Sequence, residues 1–298
     1  MEKFLNTISN GRTPIFVDLN NILYRMYYVF SPDKFKSSQG LPNGHLFGLC
    51  QTLRTMDKLG YEIFLCEDSK CEWRRELNED YKSNRQPSEG GTEFWKDYPK
   101  IRDLISNMPH VHSLASSGFE ADDIMYSAAK ICSRNNIKCK VFTMDKDLLQ
   151  ALDENIDIVH KVTLKENEEI KYDSPEYWEK FPVKPELLPY FRAFKGDSSD
   201  NLIAPVKRFP KDLAIELSQY LKDNGSLKDY NITKKSHEKW IKQLADNWSD
   251  YCKNYRVMKL NDIEFTMLEK SKLNSYQQVC KDYDLFQFYS YIKENYDK

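Results

Sequence analysis

The chain reads as an α/β protein, a mostly parallel central sheet flanked by helices. Short apolar runs alternate with helical patterns through its first half, the arrangement that joins parallel strands by crossover helices. The runs end in, or lead directly to, acidic residues: Asp18, Asp68, Glu120 and Asp145. Open parallel sheets gather their sites at the carboxyl ends of their strands. Acids delivered there from separate strands point to one shared site.

The elements follow in order. Ile15-Phe16-Val17-Asp18 predicts a buried strand, and Asn20 or Asn21 is placed to cap a helix running through Tyr28. Asn43-Gly44 opens another helical pattern through Leu59, which Gly60 stops. Tyr61 to Cys66 predicts the second strand, ending in Glu67 and Asp68, and Val111 to Leu114 a short third. A helix from Glu120 to Arg134 follows. Lys138 to Thr143 is the fourth strand and delivers Asp145; Ile156 to Val159 is the fifth. After Lys161 the character changes. Asp173-Ser174-Pro175-Glu176 is a helix start, with Ser or Asp as cap and Pro at the first helical position. The remainder to Lys298 is mainly helical and rich in Lys and Tyr, with a turn at Asn224-Gly225. Gln86 to Thr92 is the most loop-like stretch.

At 298 residues the chain is long enough for a sizeable core in one large domain or two modest ones. No apolar run approaches the ~20 residues of a membrane-spanning helix. Met1-Glu2-Lys3-Phe4-Leu5 lacks the basic, apolar and cleavage regions of a secretory signal. The expectation is a cytoplasmic protein with no membrane partner. The seven cysteines are scattered without a C-x-x-C pair and are expected to be reduced thiols. The five histidines show no ligand spacing and are assigned no chemistry. A net charge of −2 describes the whole chain, not one face, and leaves room for a locally basic surface. The 19 Tyr and 16 Phe suit base stacking or, more simply, a Tyr-rich core.

The chemistry is carried by Gly118-Phe119-Glu120-Ala121-Asp122-Asp123-Ile124, Asp145-Lys146-Asp147 and Asp197-Ser198-Ser199-Asp200. Clustered carboxylates repel unless protons, basic groups or metal ions intervene. Hard divalent cations such as Mg²⁺ or Mn²⁺ suit an all-oxygen site, and a pair of them suits phosphodiester hydrolysis. Asp18, Asp68, Glu120 and Asp122 group as ligands of one ion. Asp145, Asp147 and Asp200 group as ligands of a second, with Asp123 and Asp197 nearby. Any one acid alone reads as a cap or a solvated charge, since helix dipoles favour acids in the first turn; the set favours metal.

From Trp73-Arg74-Arg75 to Tyr81-Lys82-Ser83-Asn84-Arg85, basic and aromatic residues interleave, as phosphate contacts and stacking surfaces require. Arg74 and Arg85 have the fork geometry to hold a phosphate, and Lys82 adds a point charge. A solvated charged helix anchored by Trp73 fits this segment equally well. Tyr24-Arg25 lies one to two helical turns past Asp18, within reach of a nucleotide over the acids. No nucleophile elbow, Walker loop or dinucleotide fingerprint is present.

Taken together these residues resemble the flap endonuclease/5′-nuclease superfamily with its PIN-like α/β core. The resemblance runs in order through Val17-Asp18, Tyr24-Arg25, Ser38-Gln39-Gly40, Asp68, Trp73-Arg74, Tyr81-Lys82-x-x-Arg85, Gly118-x-Glu120-Ala121-Asp122-Asp123, Asp145-Lys146-Asp147 and Gly196-Asp197-x-x-Asp200-Asn201. Leu65-Cys66-x-Asp68 with Trp73-Arg74-Arg75 looks closest to the T-even phage RNase H branch. The resemblance implies a catalytic domain over 1–183, with a helical arch at about 72–95, and a helical DNA-binding part over 184–298. It implies a hydrolase with two Mg²⁺ or Mn²⁺, acting near 5′ ends of branched or nicked duplex DNA and of RNA–DNA hybrids. The acids named above become the ligands, Lys82 and Arg85 contact the scissile phosphate, and Tyr24 lies near the 5′ nucleotide. A monomer serving replication or repair, possibly with replication proteins as partners, is expected; if phage-encoded, it works in the host cytoplasm. Two other readings share the acids: a PIN-type single-strand endoribonuclease, and a non-catalytic DNA-binding scaffold.

One stretch departs from the pattern. Many relatives carry a Gly-Ile-Gly hairpin after the last acids, often with a monovalent cation. Here Val206-Lys207-Arg208-Phe209-Pro210 occupies it. Without glycines the backbone cannot approach a phosphate as closely, and Pro210 removes a donor. Lys207, Arg208 and Lys211 are expected to grip the duplex by side-chain charge instead, without a bound potassium ion.

Overall fold

Both faces of the first strand, β1 (Thr13–Asp18), are covered. Phe16 joins the apolar cluster on one side and Ile15 and Val17 the cluster on the other, all fully buried. That is the period-two alternation of a strand, and burial on both faces explains why it reads as an unbroken apolar run. β2 (Tyr61–Glu67) repeats the arrangement, with Phe64 and Cys66 opposed to Ile63 and Leu65. β1 pairs in parallel with β2 and with β4 (Cys139–Phe142); β2 pairs with β3 (Val111–Ala115), and β4 with β5 (Ile156–Lys161). These are the five strands that the sequence pattern predicts. Two antiparallel edges, β6 (Glu168–Ile170) and β7 (Thr266–Met267), complete the order β6-β5-β4-β1-β2-β3-β7. At three and two residues they are too short to show alternation.

The structure, a computed structural model, describes residues 1–30, 34–83, 94–164, 168–172, 174–270 and 276–296. Arg85, Asp173 and the stretch from Gln86 to Thr92 lie outside them, as does the middle of the expected arch.

On the Phe16 face sit α1 (Glu2–Ile8), α6 (Ala121–Arg134), α7 (Pro175–Lys180), α8 (Leu188–Ala193), α9 (Lys211–Asn224), α10 (Glu238–Asp246) and α11 (Trp248–Met258). On the Val17 face sit α2 (Leu19–Val29), α3 (Gly44–Lys58), α5 (Tyr98–Ser106), α12 (Tyr276–Asp282) and α13 (Phe286–Asn295). The short α4 (Glu72–Leu77) follows β2 at the carboxyl edge of the sheet. The cap of α2 is neither Asn20 nor Asn21. Asp18 does it, accepting the Asn21 N–H at 2.9 Å, because β1 runs straight into the helix. Gly60 (φ +81) and Gly225 (φ +73) take the left-handed backbone that ends α3 and α9.

Position 183/184 marks a change from sheet to helices, but the core runs across it. Residues of α8, α9 and α11 share the Phe16-side cluster, β7 pairs with β3, and α12 and α13 pack on the Val17 side. No helix among the described residues is long and apolar enough to cross a membrane. All seven cysteines are free thiols.

Candidate active site

The parallel register brings the strand ends level: Asp18 faces Cys66, and Cys66 faces Leu114. Asp68 follows β2, Glu120 and Asp122 open α6 beyond β3, and Asp145 follows β4. All four strand-end acids, with Asp122, Asp147 and Asp200, line one cleft together with Asn21, Arg74, Tyr81, Lys82 and Thr143. Local hydrogen bonds aim them. Asp68 accepts the Ala121 N–H at 2.6 Å and the Asn20 amide at 2.7 Å, tying the first turns of two helices to the end of β2. Thr143 Oγ accepts the Asp145 N–H at 2.9 Å, and Asp145 accepts the Asp147 N–H at 2.8 Å. Ser69 Oγ accepts the N–H groups of Gly118 and Phe119 at 2.7 and 3.1 Å, holding the turn before Glu120.

The acids stand in two electrostatic conditions. Burial, reinforced by the neighbouring Asp68, pushes the Asp18 carboxyl up to about 7. Burial, with Asp145 and Asp18 beside it, raises Asp122 well above the usual carboxylate range. Glu120 goes the other way. Burial works against its charge, but Lys82 and Arg74 outweigh that and hold it below its usual value. Lys82 Nζ lies 2.9 Å from Glu120, the Tyr81 hydroxyl donates to the same carboxylate at 3.1 Å, and Arg74 donates to it at 2.8 Å. Among the described residues, no group of three or more His, Cys, Asp or Glu side chains already stands as an ion cage. Several of the acids are turned to basic partners instead. The donor set nonetheless fits hard cations, because two half-buried carboxylates, Asp18 and Asp122, are destabilised as anions by desolvation and by neighbouring acids.

Arg74, expected to contact phosphate, does something else. It is 1 % exposed, its guanidinium grips both oxygens of Asp123 at 2.7 and 2.9 Å, and its Nε donates to the Val257 carbonyl at 3.2 Å. A guanidinium spent on buried partners cannot also receive a substrate. Asp123, grouped with the ligands in the sequence, is itself fully buried, turned to Arg74 and to the Asn261 N–H at 3.1 Å, and does not line the cleft. Asp197 is likewise turned away, accepting from the Ser199 N–H at 2.8 Å, the Ser199 hydroxyl at 2.6 Å and Arg192 at 2.5 Å.

Arg192 is the residue that sequence reasoning missed. From α8 its two terminal nitrogens reach Asp147 and Asp197, joining acids from separate loops, and it is 9 % exposed. Its position five residues before Asp197 was the only signal. Four of the five histidines, given no chemistry, pair with acids away from the cleft: His45 with Asp97, His110 and His112 with Glu62, and His237 with Asp212. Tyr24 and Arg25 are exposed on α2 and do not line the cleft. Lys207 and Arg208 form an exposed turn, with Arg208 at φ +58, leading into Lys211 at the start of α9. They too lie outside the cleft.

The chain is similar to known proteins in sequence and in fold. The model of the 5′-3′ exonuclease N-terminal resolvase-like domain matches residues 13–182. A 5′-3′ exonuclease of Mycoplasmopsis pulmonis is 28% identical over 295 residues, covering 95% of this chain and 93% of that protein. A thermostable DNA polymerase I of Thermus thermophilus is 29% identical over 233 residues, 77% of this chain but 26% of the polymerase. The D15 flap endonuclease of bacteriophage T5, solved in complex with DNA and metal ions, has a TM-score of 0.57 at 18% identity, covering 95% of this chain and 98% of that one.

Proposed function

This chain belongs to the 5′-3′ exonuclease family, and we propose that it is a divalent-metal-dependent 5′-nuclease. Its substrates are phosphodiesters near the 5′ ends of branched or nicked DNA and of RNA–DNA hybrids, as in replication or repair. The observation that carries this reading is the cleft where, among the described residues, acids from four strand ends meet the ammonium of Lys82. The T5 relative's complex with DNA and metal ions supports it.

Asp18, Asp68, Glu120 and Asp122 would hold one Mg²⁺ or Mn²⁺, and Asp145, Asp147 and Asp200 a second. When bound, such ions supply an activated water and neutralise charge on the leaving oxygen. The chain's own work is positional and electrostatic. Lys82, part-exposed and held at the cleft by Glu120 at 2.9 Å, would add positive charge beside a bound phosphate and stabilise the negative charge that develops there. Tyr81 and Arg74 keep the Glu120 carboxylate in place while Lys82 does so. Arg192 holds Asp147 and Asp197 together.

The test is product mapping on a 5′-labelled flap, with and without Mg²⁺, beside a matched linear RNA. Cleavage at the flap junction only with the ion is expected. Cleavage of the linear RNA alone would favour a single-strand ribonuclease, and no cleavage of either would leave a binding scaffold. Asp145→Asn and Asp200→Asn are each expected to abolish cleavage while DNA binding persists.

A further inference from the structure

The turn that carries Lys82 is held from outside its own segment. The Ser83 N–H donates to the Asp80 carbonyl at 3.0 Å, closing a reverse turn with Lys82 in its third position at φ +56. A non-glycine residue stays in that left-handed region only where its surroundings enforce it. The enforcing group comes from 118 residues further along the chain. The Asn201 side-chain amide donates to the Asp80 carbonyl and to the Ser83 hydroxyl, both at 2.9 Å. Its two protons thus close on the residues that flank Tyr81 and Lys82. The Asn78 amide reaches back to the Asn201 carbonyl at 3.5 Å.

Asn201 sits in a loop closed by several contacts. Asp197 and Leu202 exchange both backbone hydrogen bonds at 2.8 Å. Gly196, at φ +68, approaches so closely that a Cβ there would lie 2.3 Å from the Leu202 carbonyl oxygen. Asn254, from α11, donates to the Ile203 carbonyl at 2.8 Å. Asn201 itself is left-handed at φ +56, a conformation that Asn tolerates better than most residues. The same loop carries Asp200.

We propose that Asn201 is a positioning residue: its amide latches the Lys82 turn to the Asp197–Leu202 loop, so that Lys82 and Asp200 keep a fixed spacing across the cleft. The latch needs donors. A carbonyl and a hydroxyl oxygen face the side chain, so the amide fits and a carboxylate would meet the Asp80 carbonyl with no proton to offer. Its effect on turnover rests on the nuclease reading; its effect on the turn does not.

Asn201→Gly keeps the left-handed backbone and deletes the amide. Turnover on a 5′-flap is expected to fall at least about tenfold, short of the about 10²-fold that a 1 Å misplacement can cost, with KM changed less than about threefold. In a Lys82→Ala background the same change is expected to cost almost nothing, because neighbours acting through one group are not additive. Ser83→Ala, which removes one of the two acceptors, should give a smaller loss of the same kind. Amide hydrogen exchange at residues 78–83 should speed up in Asn201→Gly. Unchanged exchange, or an equal loss of turnover with and without Lys82, overturns the latch. A wild-type protein that cuts no flap overturns the nuclease reading instead, and the exchange measurement then decides the latch alone.

Discussion

Arg74 and Asp123 form a bidentate pair at 2.7 and 2.9 Å, with side chains 2 % and 0 % exposed, from α4 and from the first turn of α6. The pair ties the segment leading to Lys82 to the helix that begins with Glu120 and Asp122. Removing one partner of a buried pair leaves the other charge uncompensated, at a cost of about 3–5 kcal/mol, whereas an apolar replacement of both is far milder. Arg74→Met should therefore lower the unfolding free energy by about that amount in a urea titration. Arg74→Met with Asp123→Leu should recover most of it. A single variant within about 1 kcal/mol of wild type would show that the pair is not a tie.

Asp18 and Asp122 are the reverse case, half-buried acids on which desolvation and neighbouring acids outweigh the charge of Lys82. Such a site costs stability when empty of cations, a trade of stability for function. Asp18→Asn should be more stable than wild type in EDTA by roughly 1–2 kcal/mol, because it removes a charge that desolvation and Asp68 both disfavour, and one pKa unit is worth about 1.4 kcal/mol. It should also gain less from added Mg²⁺, whose linkage adds about 2.7 kcal/mol at one hundred times Kd. Paired melting curves with EDTA and with Mg²⁺ check both. A variant that loses stability in EDTA would mean that Asp18 serves mainly as the cap of α2, through the Asn21 N–H.

The strands were legible because burial on both faces writes an unbroken apolar run into β1 and β2, and because each ends at an acid that a soluble core cannot keep. What the pattern could not carry was partnership at a distance. Arg74 reads in sequence as one of several basic residues after Asp68; only the fold sets it against Asp123, 49 residues away. Arg192 is equally silent, and Asn201, though it stands in the motif after Asp200, shows no partner in the sequence. One is a lone Arg on an apolar helix, the other a polar residue in a turn. Each acts through a contact made by the packing of α8 and of the Asp197–Leu202 loop. The cap of α2 was misplaced because nothing in Asp18-Leu19-Asn20-Asn21 marks where strand gives way to helix.

A second acid sensor of stability lies at the opposite end of the sheet. Glu62 on β2 is 2 % exposed and accepts from Asn10 at 2.8 Å, from His112 at 2.5 Å and from His110 at 3.0 Å. Burial works against its charge, but the hydrogen bonds from His112, Asn10 and His110 outweigh it and lower the carboxyl from 4.5 to about 2. A depressed carboxyl binds fewer protons in the folded than in the unfolded chain, so its contribution is present above about 4.5 and is lost as pH falls toward about 2. Glu62→Gln should flatten the stability profile across that window and leave the cleft's metal response alone. Parallel profiles for the two proteins below pH 4.5 would remove Glu62 from the account.

The duplex grip is the last expectation open to measurement. Val206 to Pro210 contains no glycine, and the exposed Lys207, Arg208 and Lys211 are proposed to bind phosphate through flexible side chains. Each phosphate neutralised on duplex DNA contributes about 0.9 to the slope of log K against log salt. Replacing all three by Ala should therefore flatten that slope by about 2–3, read by anisotropy on nicked duplex without divalent ions. Turnover at saturating substrate should change far less, because none of the three lines the acidic cleft. A loss of turnover with an unchanged slope would place these residues at the chemistry instead. An unchanged slope with unchanged turnover would move the duplex to another face of the molecule.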